Sequence, residues 1–285
     1  MTSSFIFEAI GTAWRVDSGA ELDPATRGGV LDLTEDYDAV YSRFRADSAV
    51  SALAKAGGSL TLPDSGAALG ALYSTLYRIT EGSMSPLVGS VLEHQGYDAA
   101  YSLTPQGPAS AAPRWEDGLE WKGNILTARR PVLLDVGAAG KGQLVDLVGA
   151  FLASAGHDDV LVDASGDVLH RGFRPLTVAL EHPYDPTSAI GTVVLDNRAL
   201  CASASNRRAW GDGLHHVIDA ATGRSVERVV ATWVLAADTM TADALATALF
   251  LTEPDNLMSE FEFDYVQVFS DGRARYSPSL NGALF

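Results

Sequence analysis

One cysteine, Cys201, is all that 285 residues contain, and it excludes any disulfide within the chain. Set between Ala199-Leu200 and Ala202, it reads as a small core residue. Positive charge is also scarce: 20 Lys and Arg stand against 36 Asp and Glu, a net charge of −16. So acidic a chain does not suit broad nucleic-acid binding, which depends on Lys and Arg contacts to phosphate. A local basic pocket stays compatible with it. No apolar run reaches the roughly 20 residues of a membrane span. The opening stretch MTSSFIFEAIGTAW has no basic region, no long apolar core and no lipobox cysteine. The expected location is therefore cytoplasmic. A GxSxG elbow, a Walker A loop, a GxGxxG turn and zinc-ligand spacing are all missing. What is present, 47% hydrophobic and 20% charged residues, is ordinary for a globular protein long enough to bury a substantial core.

Periodicity gives helices to the first half and strands to the second. Ser3 to Val16 alternates as one strand, with a bulge or close approach at Gly11-Thr12. Asp23-Pro24 opens a helix to Val40, and Ser42 to Ser48 interrupts the pattern. Asp47 or Ser48 caps a short helix through Leu53. A strand at 59–62 precedes a helix from Asp64 to Ile79, and another follows over Leu87 to His94. The Pro, Ala, Ser and Gly-rich stretch 101–118 is the best place for a surface loop or internal boundary. Strands are expected near 125–127, 160–162, 176–180, 191–195, 200–202, 215–219, 228–235 and 265–269. A helix runs from Thr239 to Leu251, and a last strand follows the Asp271-Gly272 turn. Without clean βαβ alternation, the class is α+β.

Three stretches carry chemistry. The first, Pro131-Val-Leu-Leu-Asp-Val-Gly-Ala-Ala-Gly-Lys-Gly142, reads as strand, glycine turn, lysine and helix start. The unpaired N–H groups and positive dipole end of such a helix suit a phosphate. Gly137, Gly140 and Gly142 would let the backbone approach it. The same pattern also suits a plain glycine turn before a packed helix. The second stretch places Asp243 and Thr247 four residues apart on one helix face among alanines. That is either a hard oxygen site for Mg²⁺ or ordinary capping. The third is His215-His216, whose side chains point opposite ways on a strand. One of them can line a pocket as a general base while the other is satisfied in the core.

Taken in order, these stretches resemble the ApbE family of FAD:protein FMN transferases. The resemblance rests on Ala9-Ile-Gly-Thr12, Ser42-Arg-Phe-Arg-Ala-Asp-Ser48, Gly82-Ser-Met-Ser-Pro86, Asp135-Val-Gly-Ala-Ala-Gly-Lys-Gly142, Ser165-Gly-Asp167, His216-Val-Ile-Asp-Ala-Ala-Thr-Gly223 and Ala242-Asp-Ala-Leu-Ala-Thr-Ala248. It implies one ApbE-like (T-fold-like) domain over 1–285, with two tightly joined halves of sheet and helix. The implied reaction cleaves FAD with Mg²⁺, joins FMN to a Thr or Ser of an acceptor flavoprotein through a phosphoester, and releases AMP. Position by position, the resemblance gives Asp243, Thr247 and the Ala138 carbonyl to the metal. It gives Lys141 to the FAD phosphates and Asp135 to a polar part of FAD. Ile10, Phe44, Ser83, Met84 and Ser85 line the rings, Val217 adds a contact, and His216 is the base toward the acceptor hydroxyl. The sequence departs from the family pattern at Ile10 (usually Met), Ser85 (Asp), Ala202-Ser-Ala204 (Thr-Ser-Gly) and Ala220 (Pro). An FAD pyrophosphatase yielding FMN and AMP, or a non-catalytic FAD-binding protein, would keep many of the same residues.

Overall fold

The computed structural model describes residues 3–211 and 213–285. Its first elements are β1 (Ser3–Ala9), β2 (Thr12–Ser18), α1 (Pro24–Tyr41), α2 (Ala49–Ala56), β3 (Gly58–Thr61), α3 (Gly66–Ile79) and α4 (Gly89–His94). Next come α5 (Trp115–Gly118), β4 (Leu119–Lys122), β5 (Ile125–Ala128), α6 (Gly140–Ser154), β6 (Val160–Asp163), β7 (Asp167–Arg171), β8 (Leu176–His182), β9 (Asp185–Leu195) and β10 (Ala199–Ala204). The chain closes with β11 (Ala209–Trp210), β12 (Leu214–His215), β13 (Ile218–Asp219), β14 (Arg224–Ser225), β15 (Val229–Ala236), α7 (Thr239–Ala248), α8 (Pro254–Met258), β16 (Asp264–Phe269) and β17 (Ala274–Tyr276).

Eight strands form one antiparallel sheet in the order β1-β2-β6-β7-β10-β15-β16-β17. The fold is α+β, as the pattern of elements implied. The central strands are buried on both faces, which is why β15 reads as the near-continuous run Val-Val-Ala-Thr-Trp-Val-Leu-Ala. Val234 and Ala236 point to the helical face, where residues of α1, α3, α6 and α7 gather. Ala231, Trp233 and Leu235 point to the other, where Leu180 of β8 and Val193 and Leu195 of β9 close over the sheet. One half pairs α6 with β6 and β7, and the other pairs α7 with β10 and β15. The two halves meet where α6 packs on α7.

Local chemistry sets the ends of these elements. Asp23 accepts the Thr26 N–H at 2.7 Å and Pro24 fills the first turn of α1. Ser48 caps α2 through Ser51 N and donates to the Ser42 carbonyl at 2.6 Å, which folds the 42–48 loop back on itself.

Several expectations are corrected. The expected first strand, 3–16, is a hairpin. Ile10 (φ 47°) and Gly11 (φ 74°) make a two-residue turn of the kind that matches strand twist, so the glycine marks a reversal and not a bulge. Residues 131–135 pair with no strand among the described residues. Asp135 N instead donates to the Pro86 carbonyl at 2.8 Å. The strand expected over 215–219 is two short ladders, β12 and β13, broken at His216-Val217. Helix α3 begins at Gly66, beyond Asp64, and the 87–94 helix divides into a 3₁₀ turn, Pro86–Val88, and α4. Strands β4 and β7 had no sequence signal of their own. Residues 101–114 form no helix or strand and are mostly exposed.

Candidate active site

The site begins where α6 packs on α7. Gly142, in the first turn of α6, lies against α7. A Cβ there would sit 2.3 Å from the Thr239 carbonyl oxygen and 2.8 Å from Asp243 Cβ. Added Cβ atoms on Gly140 and Gly137 would likewise meet protein atoms, Val136 Cγ2 at 3.0 Å and Asp135 Oδ1 at 2.8 Å. None of the three adopts a positive φ. The glycines of this loop therefore admit neighbouring protein, Gly142 above all, while Gly137 and Gly140 also line the cleft.

Close approach at Gly142 lets the two helices cap each other. Asp243 of α7 accepts the Gly142 N–H of α6 at 3.0 Å. Asp146 of α6 accepts the Thr239 and Met240 N–H groups of α7 at 2.9 and 2.8 Å. Each carboxylate lies at the positive end of the other helix, where orphan N–H groups need acceptors. Asp238 adds a local cap through Thr241 N at 2.8 Å.

Beneath this junction is a buried charge cluster. Lys141 Nζ pairs with Asp167 and donates to the Ala164 carbonyl at 3.1 Å. Asp167 is fully buried, and it acts electrostatically on Asp243. Burial, then the neighbouring Asp167, push the Asp243 carboxyl above its ordinary range, against the pull of Lys141 and Gly142 N–H. Burial would lower the Lys141 pKa, but Asp167 and Asp243 outweigh it and the ammonium is favoured. Two carboxylates thus share one ammonium. Asp243 and Thr247 are one turn apart and both face the cleft, with Ala138 beside them. Among the described residues, Thr247 Oγ1 makes no hydrogen bond, and no three His, Cys, Asp or Glu side chains form a ready metal cage. One carboxylate, one hydroxyl and a carbonyl are hard oxygen donors, and the excess negative charge fits a divalent cation.

The opposite end is built from loops. Asp135 accepts Gly137 N at 2.7 Å and Arg43 Nε at 2.6 Å. Burial would raise its pKa, but Arg43 and the Gly137 N–H prevail and hold it below the usual carboxylate value. The Arg43 guanidinium lies 4.1 Å over the Phe44 ring and 5.1 Å over Tyr97. Tyr101 stacks on Phe44 at 5.4 Å. Ser85 caps the 3₁₀ turn through Leu87 N at 3.2 Å, and Met84 N donates to Thr80 Oγ1. The Ser83 carbonyl accepts Ala220 N at 2.9 Å. A proline at 220 could not make that bond, so the alanine ties the Ser83 turn to the histidine segment.

His215 is buried, with Nε2 2.7 Å from the Val226 carbonyl, while His216 lines the cleft. The opposed pair expected on a strand survives, although the strand does not. Burial, then Arg208 and His215, lower the His216 pKa to about 4, so the ring is neutral at pH 7. Its Nδ1 is buried without a hydrogen-bond partner among the described residues, and the residue lines the cleft.

The residues to which the family resemblance gave roles meet in one cleft of about 280 Å³: Ile10, Phe44, Ser83, Met84, Ser85, Asp135, Ala138, Lys141, His216, Val217, Asp243 and Thr247. Arg43, Tyr97 and Arg208 also line it and were not anticipated. Arg43 lay inside a quoted segment, next to Phe44. Tyr97 and Arg208 had no local pattern to mark them, since only the fold brings residues 97 and 208 together.

The architecture is that of solved flavin transferases. The chain superimposes on the ApbE protein of Thermotoga maritima with a TM-score of 0.85 at 20% identity, covering 99% of each chain. With the flavin transferase ApbE from Vibrio cholerae the TM-score is 0.77 at 20% identity, again covering 99% of each. Residues 10–269 match the ApbE family, and the chain belongs to it. It is 28% identical over 221 residues to the FAD:protein FMN transferase of Vibrio cholerae, covering 70% of this chain and 66% of that one. It is 33% identical over 187 residues to the protein of the same name from Rhodobacter capsulatus, covering 60% and 35%. For the Treponema pallidum protein of that name, identity is 27% over 290 residues, covering 88% and 79%. The matched region thus spans just under two thirds of the Vibrio relative and about a third of the Rhodobacter one. No helix among the described residues is long and apolar enough to cross a membrane.

Proposed function

We propose that this protein is an Mg²⁺-dependent FAD:protein FMN transferase that joins FMN to a Thr or Ser of an acceptor flavoprotein and releases AMP. The observation that carries the reading is the meeting, in one cleft, of Lys141 and Asp243, backed by the buried Asp167, with a neutral histidine, His216. The names of the relatives point the same way. We further propose that residues 1–285 act as one domain, because a single core cluster draws on residues from Trp14 to Tyr265.

Asp243, Thr247 and the Ala138 carbonyl would hold the cation, which would neutralise charge on the pyrophosphate. Phosphoryl transfer depends mostly on positioning and electrostatics, and the chain's own residues supply both. Phe44, Met84 and Ile10 offer apolar surface to the flavin rings, with Ser83, Ser85 and Val217 bordering it. Asp135, kept ionised by Arg43, accepts a hydrogen bond from a polar group of FAD. Lys141 places positive charge beside the phosphates. His216 Nε2 takes the proton of the acceptor hydroxyl. That oxygen then bonds to the FMN phosphorus as the bond from this phosphorus to the bridging oxygen breaks, and the bridging oxygen leaves on AMP.

The test is incubation with FAD, Mg²⁺ and an acceptor flavoprotein. Covalent flavin fluorescence on the acceptor, with AMP released in equal amount, is expected. Free FMN and AMP without labelling would replace the transferase by a pyrophosphatase. Tight FAD binding without turnover would leave a flavin-binding protein.

A further inference from the structure

Three cations line the cleft of this acidic chain, and two of them are already matched by carboxylates. Lys141 pairs with Asp167, and Arg43 pairs with Asp135. Arg208 differs. It ends the 3₁₀ turn Ser205–Arg208, its side chain is exposed to the cleft, and its one hydrogen bond among the described residues runs from Nη1 to the Tyr97 hydroxyl at 3.0 Å. No described carboxylate pairs with it. Its own carbonyl accepts the His216 N–H at 3.3 Å, so base and guanidinium are fastened to the same short segment.

We propose that Arg208 is a catalytic residue: its free guanidinium nitrogens donate to the phosphoryl group of the flavin mononucleotide half of the substrate, beside His216. This rests on the flavin-transferase reading above. A tethered tyrosine hydroxyl leaves the planar fork free to take two phosphoryl oxygens, which the ammonium of Lys141, held by Asp167, does not offer. Charge spreads over the equatorial oxygens as the phosphoryl group moves, and a positioned arginine lowers that barrier. Burial first, then the Arg208 guanidinium and His215, disfavour the protonated His216 ring, while the Arg208 backbone and Asp135 favour it, so the guanidinium helps keep the base unprotonated.

The test uses the full chain with Arg208→Gln and Arg208→Lys, with thermal unfolding as the check on folding. At saturating FAD, the Gln variant should transfer FMN at least about 100-fold more slowly, with KM for FAD changed far less and Lys restoring part of the loss. The acid limb of its pH–rate profile should move to higher pH. A second measurement needs no turnover: the affinity for FMN relative to riboflavin, which lacks the phosphate. That preference should fall about tenfold or more in the Gln variant. An unchanged preference, or none in the unsubstituted protein, overturns the proposal. If the unsubstituted protein transfers no FMN yet loses its preference on Arg208→Gln, the transferase reading fails and the phosphate contact stands.

Discussion

The two ends of the cleft are built in opposite ways. At the Asp243 end, two helices press together at a glycine, each supplies the other's cap, and a half-buried lysine stands beside two buried carboxylates. At the His216 end, two-residue ladders, a 3₁₀ turn and single backbone bonds such as Ala220 N to Ser83 O hold the groups in place. Regular structure in a dense core resists displacement, whereas loop segments open at lower free-energy cost. A cation site suits the first kind of setting and an acceptor hydroxyl, which has to arrive from another protein, suits the second. Substitutions at the helical end should therefore disturb binding and folding together, while those at the loop end should disturb turnover with little effect on stability.

The largest expected effect is at the helical end. Asp243→Ala should slow Mg²⁺-dependent FMN transfer roughly 10³-fold, about 4 kcal/mol of barrier, with calorimetry showing lost Mg²⁺ binding. Full activity in that variant sinks the metal assignment. His216→Ala should slow transfer by about 10²- to 10⁴-fold while the melting temperature stays within a few degrees. A collapse of stability there would erase the contrast between the two ends. Gly142→Ala inserts a methyl group into the Thr239 carbonyl and should cost about 1–3 kcal/mol in denaturant unfolding, with the loss of activity following the loss of structure. A last effect concerns pH. The folded His216 titrates at about 4 against an ordinary 6.5, so the unfolded chain binds more protons between those values. Stability should fall as pH drops from about 6.5 toward 4, and His216→Gln should flatten that slope.

Much of the site was legible because its residues come in short, chemically dense runs. Asp135 to Gly142 and Asp243 to Thr247 each carry their own spacing, and both runs fold into the cleft. Caps were readable too, since Asp23 and Ser48 act on neighbours three residues away. What escaped was long-range. Asp146 looks like one polar position of an amphipathic helix, and only its distant bonds to Thr239 and Met240 reveal its work. Arg208 and Tyr97 meet across the fold. The strand expected at 131–135 failed because an apolar run records burial, and Val132 and Leu134 are buried by packing without any ladder.

The exchange of caps between α6 and α7 has a kinetic consequence. The amides of Gly142, Thr239 and Met240 are far apart in sequence, yet none can reach solvent without loosening the same helix crossing. In native-state hydrogen exchange the three should open as one unit, with matching protection that weakens together in Asp146→Ala. The half of the molecule that carries α7 and the half that begins α6 would then share a single opening event.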